Sequence, residues 1–292
     1  MFSRRVELSI EGKEQNDRCG NKVRGIIGRK ECRFLDPFRR MIEFKAKASA
    51  GFPDRPKRGV ETVTYVLDGK LRHEDCLKQG KTIIHPGDVL YMLAGKGIKH
   101  CDVPDDEHEV HGLQLWIEQS GDMMIEPNTV LMKNGPFLSN EKPDGVQVKI
   151  IAGKSLGHEV KYFTETPTMF LDFKLDKKAV LNQTIPEGWN AFIYILSGQA
   201  TFGDGKDAKQ YDAHCTLVLG QTGQGIKVEN TSQQECRFLL IGGKPHGQKI
   251  KHYGPFVIKD AEDMDEVIPD YKAGRNGFEK TFEWDSDYVI NR

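Results

Sequence analysis

Nine histidines and six cysteines are the residues in this chain best able to do chemistry. Cys19, Cys32, Cys76, Cys101, Cys215 and Cys236 are scattered, and none forms a CxxC pair. That argues against a zinc knuckle or a thioredoxin-like site, and free thiols are expected. Gly95-Lys96-Gly97 and Gly203-Asp204-Gly205 read as turns, because no phosphate-binding helix pattern follows either one. No Ser-His-Asp grouping stands out from the spacing. His100-Cys101-Asp102 sets an imidazole and a carboxylate two residues apart. On a strand those two share a face and Cys101 takes the other.

Strands must position these groups. Glu61–Leu67 is rich in β-branched and aromatic residues and ends at the turn signal Asp68-Gly69. His85-Pro86-Gly87-Asp88 is a turn leading into Val89–Met92, and Gly112–Ile117 alternates as a half-buried strand does. Short strands between Gly and Pro turns suggest an all-β barrel or sandwich. Tyr65-Val66-Leu67-Asp68-Gly69 returns 129 positions later as Tyr194-Ile195-Leu196-Ser197-Gly198, the period of a duplicated domain. Asn134–Gly145, with two prolines and two glycines, reads as the linker region. One helix is expected near the C-terminus. Asp260 serves as its N-cap, and Met264, Val267, Ile268 and Tyr271 form an apolar stripe. Gly274 ends it, and Pro269 should kink or interrupt it.

Of the 292 residues, 38% are apolar and 29% charged, which suits a globular protein of two ordinary domains. A net charge of -1 supplies no global field for nucleic acid. No apolar run spans a bilayer, and the first residues lack the apolar core of a signal peptide. The chain is expected in cytoplasm or nucleus, not secreted. Lys22, Arg24, Arg29, Lys30, Arg33, Arg39 and Arg40 make the first forty residues locally basic, read as a solvated face rather than a docking patch.

Several separate motifs in order carry a resemblance. Phe52–Tyr65 looks like the segment that opens the first barrel of the pirin family. Gly95–His100 and His111–Trp116 are similar to its next landmarks, followed by Pro167–Phe173, Gly254–Val257 and Asn276–Phe278. The resemblance covers nearly the whole chain. It implies two antiparallel cupin β-barrels, a bicupin, with a short C-terminal helix. Residues 1–138 would form the N-terminal barrel, and 139–292 the second barrel plus the helix. It also implies a metal, usually iron, in the first barrel.

The family's pattern at the first pair of metal ligands is His-Pro-His-Arg-Gly, and this chain reads Arg55-Pro56-Lys57-Arg58-Gly59. The second pair, His-x-Glu, stands here as His100-Cys101-Asp102. Arg55 has no lone pair and stays protonated. Lys57 ligates only after losing its proton, and Arg55 on the same face repels a metal. Asp102 is one methylene shorter than Glu, which draws its carboxylate back by about 1 Å. His100 and Asp102 are therefore residual ligand positions, and Arg55 and Lys57 are not expected to ligate. Either Arg55 or Lys57 reaches toward Asp102 and takes the metal's place, or both cations snorkel out of the barrel. His73 and His111 are read as hydrogen-bonded structural residues and His85 as exposed. Residues 183–190 hold no histidine, so no second metal site is expected.

Two functional readings follow. The favoured one is a non-enzymatic regulatory or interaction protein that has weakened or lost iron binding and uses no cofactor. Family resemblance implies a transcription factor as its protein partner, and a small ligand in the first barrel is a further expectation. No direct nucleic-acid or membrane contact is expected. The alternative is an iron-dependent dioxygenase of the quercetin 2,3-dioxygenase type, which needs a metal to bind substrate and oxygen together.

Overall fold

The computed structural model describes residues 2–78, 80–119, 125–139, 143–247, 251–258 and 262–290. Strands dominate, as the alternation and turn spacing require, and they gather into two compact units. No helix among the described residues is long and apolar enough to cross a membrane.

The first unit comprises residues 14–28, 38–134 and 246–292. Its larger sheet has seven antiparallel strands in the order Asn128–Met132, Val89–Leu93, Val60–Asp68, Val110–Glu118, Phe38–Ala46, Lys22–Ile27 and Glu14–Asn16. Val60–Asp68 lies between two neighbours, and seven of its nine residues are buried, so its β-branched composition suits both faces. The smaller sheet runs Phe52–Lys57, Ile98–Pro104, Leu71–Asp75, Thr82–Ile84. Phe44, Val66, Leu71, Ile84 and Val110 share one buried cluster, drawing on strands of both sheets.

The second unit comprises residues 1–13, 29–37 and 135–245. Its larger sheet places Asn190–Ser197 between Cys215–Leu219 and Cys236–Gly243. Its four-stranded sheet runs Val180–Thr184, Gly225–Glu229, Gln199–Phe202, Lys209–Asp212. The sequence echo is therefore a structural one. Val60–Asp68 and Asn190–Ser197 are equivalent inner strands, and each crosses to its smaller sheet through a glycine. Gly69 has φ 74° and Gly198 has φ 72°. A Cβ there would lie 2.6 Å from the Glu109 carbonyl oxygen and 2.3 Å from that of Glu235, respectively. Only glycine meets both demands.

The units differ at their ends from the contiguous 1–138 and 139–292. Val6–Glu11 pairs antiparallel with Cys215–Leu219, so the first strand belongs to the second barrel. The C-terminal helices belong to the first. Backbone pairing and apolar cover override chain order here. Of the expected linker, Phe137–Leu138 already pairs with Val146–Ser155, and residues 140–142 lie outside the described residues.

The helix Glu262–Ala273 runs through Pro269 without interruption, so of the expected kink or interruption the interruption does not occur. Val267 packs with Phe256 and Phe278, and Ile268 and Tyr271 flank that cluster. This burial offsets the hydrogen bond that Pro269 cannot donate. Gly274 ends the helix at φ 59°. The expected cap Asp260 and the Met264 side chain lie outside the described residues.

Candidate metal centre of the first barrel

Strand register brings the candidate residues together. Ile98–Pro104 is the second strand of the smaller sheet, with Phe52–Lys57 on one side and Leu71–Asp75 on the other. His100 is level with Arg55 and Asp75, and Asp102 with His73. Alternation turns Arg55 and Lys57, His73 and Asp75, and His100 and Asp102 to the same face. Gln114 and Trp116 meet them from Val110–Glu118 of the larger sheet. Cys101 points away, toward Ser286 and Asp54, and burial pushes its thiol up to about 12.

Arg55 makes the central contact. Its Nη2 donates to Asp102 Oδ2 at 2.5 Å, while Nη1 donates to the carbonyl of Phe52 at 2.7 Å. Lys57 does not join that pair, although it is wholly buried and does not snorkel. Its Nζ lies 3.5 Å from the centroid of the Trp116 ring and has no hydrogen-bond partner among the described residues. Burial first, and then the Arg55 charge, hold its amine well below 10.5, against the pull of Asp102.

His73 is part of the centre, where the sequence suggested only a structural histidine. Its Nδ1 lies 2.7 Å from Asp102 Oδ1 and its Nε2 3.1 Å from Asp75 Oδ2. Burial pushes its pKa down, but the two carboxylates outweigh that and raise it to about 9. At neutral pH it is an imidazolium bridging two carboxylates, and both nitrogens donate. Asp75 is fixed in turn by Thr129 Oγ1 at 3.0 Å and by the amides of Leu77 and Lys78. Burial pushes Asp102 up, yet Arg55, His100 and His73 hold its carboxyl well below the usual range. Gln114 Nε2 reaches the same carboxylate at 3.4 Å and receives the Trp116 indole N–H on its Oε1 at 2.9 Å.

His100 is the residue left over. Its Nδ1 is 3.5 Å from Asp102 Oδ2, at the limit of hydrogen-bond length, and neither ring nitrogen bonds to a described residue. Burial and Arg55 keep the ring neutral, its pKa well below 6.5. His73, His100 and Asp102 each offer a ligand atom, all within 4.8 Å of one another, so a His-His-Asp triad of the kind that can hold a metal is present.

The other histidines lie elsewhere. His111 Nε2 contacts Glu43 Oε1 at 2.7 Å, and His85 is exposed in its turn. All six cysteines are free. His73 and Asp75 could have been found in sequence as a second i, i+2 pair, His73-Glu74-Asp75. Gln114 and Trp116 carried no such signal.

Comparison with known proteins matches the same two halves. The Pirin family model covers residues 20–117, and the Pirin C-terminal cupin domain covers residues 170–277. Human pirin is 42% identical over 287 residues, covering 97% of this chain and 98% of its own. A quercetin 2,3-dioxygenase from Acinetobacter baumannii superposes with a TM-score of 0.83 at 22% identity, covering 96% of this chain and 99% of its own. A bacterial pirin from Escherichia coli, solved in complex with nickel(II), superposes at 0.64 with 18% identity, over 83% of this chain and 97% of its own. Those two likenesses speak for the cupin fold alone, whereas the family models and the identity to human pirin reach further: this chain belongs to the pirin family.

Proposed function

We propose that this protein is a bicupin that acts by binding, a regulatory or interaction protein that does not depend on a metal in its first barrel. The Arg55–Asp102 pair at 2.5 Å carries the reading. A cation from the protein holds the carboxylate that a metal would need. Of the triad, His73 is engaged by Asp102 at 2.7 Å and by Asp75 at 3.1 Å, which leaves His100 as the donor without a partner among the described residues. One neutral imidazole beside a guanidinium does not fit a tightly held divalent ion. By family resemblance the partner is a protein of the transcription-factor kind, met in cytoplasm or nucleus.

The dioxygenase reading keeps one observation in its favour, the two unpartnered nitrogens of His100 beside Asp102. Inductively coupled plasma mass spectrometry on protein expressed with added iron separates the two. Metal far below one per chain, with no quercetin-dependent oxygen uptake, is expected. Iron near one per chain together with such uptake would refute the binding-protein reading.

A further inference from the structure

Residues 284–287 lie on the outer face of the first barrel's smaller sheet, opposite the face that carries the candidate metal centre. Ser286 donates from its amide to Asp54 Oδ2 at 3.0 Å and from its hydroxyl to Asp54 Oδ1 at 2.5 Å. Lys99 Nζ donates to the Trp284 carbonyl and to Asp285 Oδ1, both at 2.6 Å. The Asp287 amide donates to Glu74 Oε2 at 3.0 Å, and Lys81 Nζ meets Asp287 Oδ2 at 3.1 Å. The segment thus ties together three adjacent strands, Phe52–Lys57, Ile98–Pro104 and Leu71–Asp75. Its anchors are the chain neighbours of site residues: Asp54 precedes Arg55, Lys99 precedes His100, and Glu74 stands between His73 and Asp75. Strand alternation sends the anchors outward and the site residues inward. Polar contacts hold the segment. Among the described residues beyond Phe278, the buried ones are Thr281 and Ser286, while Phe282 is 64% exposed. A groove of about 600 Å³ lined by Cys76, Leu77, Lys280 and Trp284 runs beside it. A segment with so little apolar burial opens at lower cost than the sheet beneath it. Under it lies Cys101, wholly buried and facing Ser286.

We propose that residues 284–287 form a latch that holds the strand of Arg55 against the strand of Asp102, so that lifting it from outside loosens the Arg55–Asp102 pair inside. Phe52–Lys57 is an end strand of its sheet and contains Pro53 and Pro56, which donate no ladder hydrogen bond. His100 is level with Arg55 and Asp102 with Phe52, so Pro53 and Asp54 together oppose Cys101 in a bulge. The ladder is therefore weakest beside the residues that form the ion pair. The latch grips that bulge through Asp54, and Lys99 Nζ, 3.9 Å from the same carboxylate, joins it to the neighbouring strand. Arg55 reaches Asp102 only while the two strands keep this register.

Ser286→Asp, which sets a second carboxylate against Asp54, tests this on the full-length protein. Labelling of Cys101 by a maleimide, located by peptide mass spectrometry, is followed together with amide hydrogen exchange. Cys101 labelling should rise roughly tenfold to a hundredfold, because the lost bond is to a charged acceptor. Exchange in residues 52–57 and 98–104 should rise with it, while Val60–Asp68 of the same unit and Cys236 of the second stay protected. Lys99→Met, which removes the bonds to Trp284 and Asp285, should give the same pattern. If neither variant folds, exchange in the unmodified protein decides: Ser286 and Asp287 should open before residues 52–57 and 98–104, and those before Val60–Asp68. A silent Cys101 in a folded variant overturns the latch. So does a reactive Cys101 with exchange unchanged in the two strands, Val60–Asp68 opening along with them, or the reverse order in the unmodified protein. The latch acts on strands and not on a metal, so iron content, which decides the binding-protein reading, leaves this result untouched.

Discussion

Raising the pH from about 6.5 to 9 acts on the first barrel in two opposite senses, and Lys57→Met uncovers one of them. His73 is raised from its ordinary 6.5 to about 9: burial lowers it, and the hydrogen bonds to Asp102 and Asp75 outweigh that. Because the folded value is the higher one, its contribution is full below about 6.5 and is lost as pH climbs through 9. A shift of about 2.5 pH units corresponds to roughly 3 kcal/mol. Lys57 runs the other way. Burial and then Arg55 hold it well below 10.5, so the unfolded chain takes up a proton that the folded chain refuses, and stability rises with pH up to 10.5. His100, neutral in both states above about 6.5, is silent in this window. Wild type should therefore show a shallow dependence. Lys57→Met should lose about 3 kcal/mol between pH 6.5 and 9, and His73→Gln should gain stability over the same range. The assay is urea denaturation at fixed ionic strength. Trp116 and Trp284 report on this unit, and Trp189 on the second. Parallel curves for wild type and Lys57→Met, or a fall with pH that survives in His73→Gln, would refute the two charge assignments.

The remaining expectations address the site and the frame. Replacing Arg55 and Lys57 together by histidine puts two imidazoles beside His100 and Asp102 and removes both cations. Metal content by mass spectrometry should then rise toward one per chain, and an unchanged value would mean that the cations are not what keeps metal out. Gly69→Ala and Gly198→Ala should each cost about 2–4 kcal/mol in urea denaturation, since both positive φ and a carbonyl oxygen within 2.6 Å oppose a methyl group. With a thiol-reactive dye, Cys19, which is exposed, should react first. Cys101 and Cys236, each pushed to about 12 by burial, should stay silent until the protein unfolds.

Local pattern made the strands legible. Runs such as Val60–Asp68 and their echo at Asn190–Ser197 alternate or fill with β-branched residues between glycine turns, and that periodicity is a property of the chain alone. The departure from the family's histidines at Arg55 and Lys57 was equally plain once the resemblance had placed Arg55-Pro56-Lys57-Arg58-Gly59, because an i, i+2 pair on one strand can be read without its neighbours. Which strands would lie side by side could not be read. Val6–Glu11 joins the second barrel and Glu262–Ala273 the first through pairing and burial between residues far apart in the chain. The same limit applies inside the site. Sequence left Arg55 and Lys57 as equal claimants to Asp102, and only the packed barrel divided them. Arg55, at the level of His100, reaches the carboxylate, and Lys57, at the level of Ile98, turns to Trp116. His73 and Asp75 entered the centre for the same reason. Register across a sheet sets which side chains meet in space, and a single strand does not record its register.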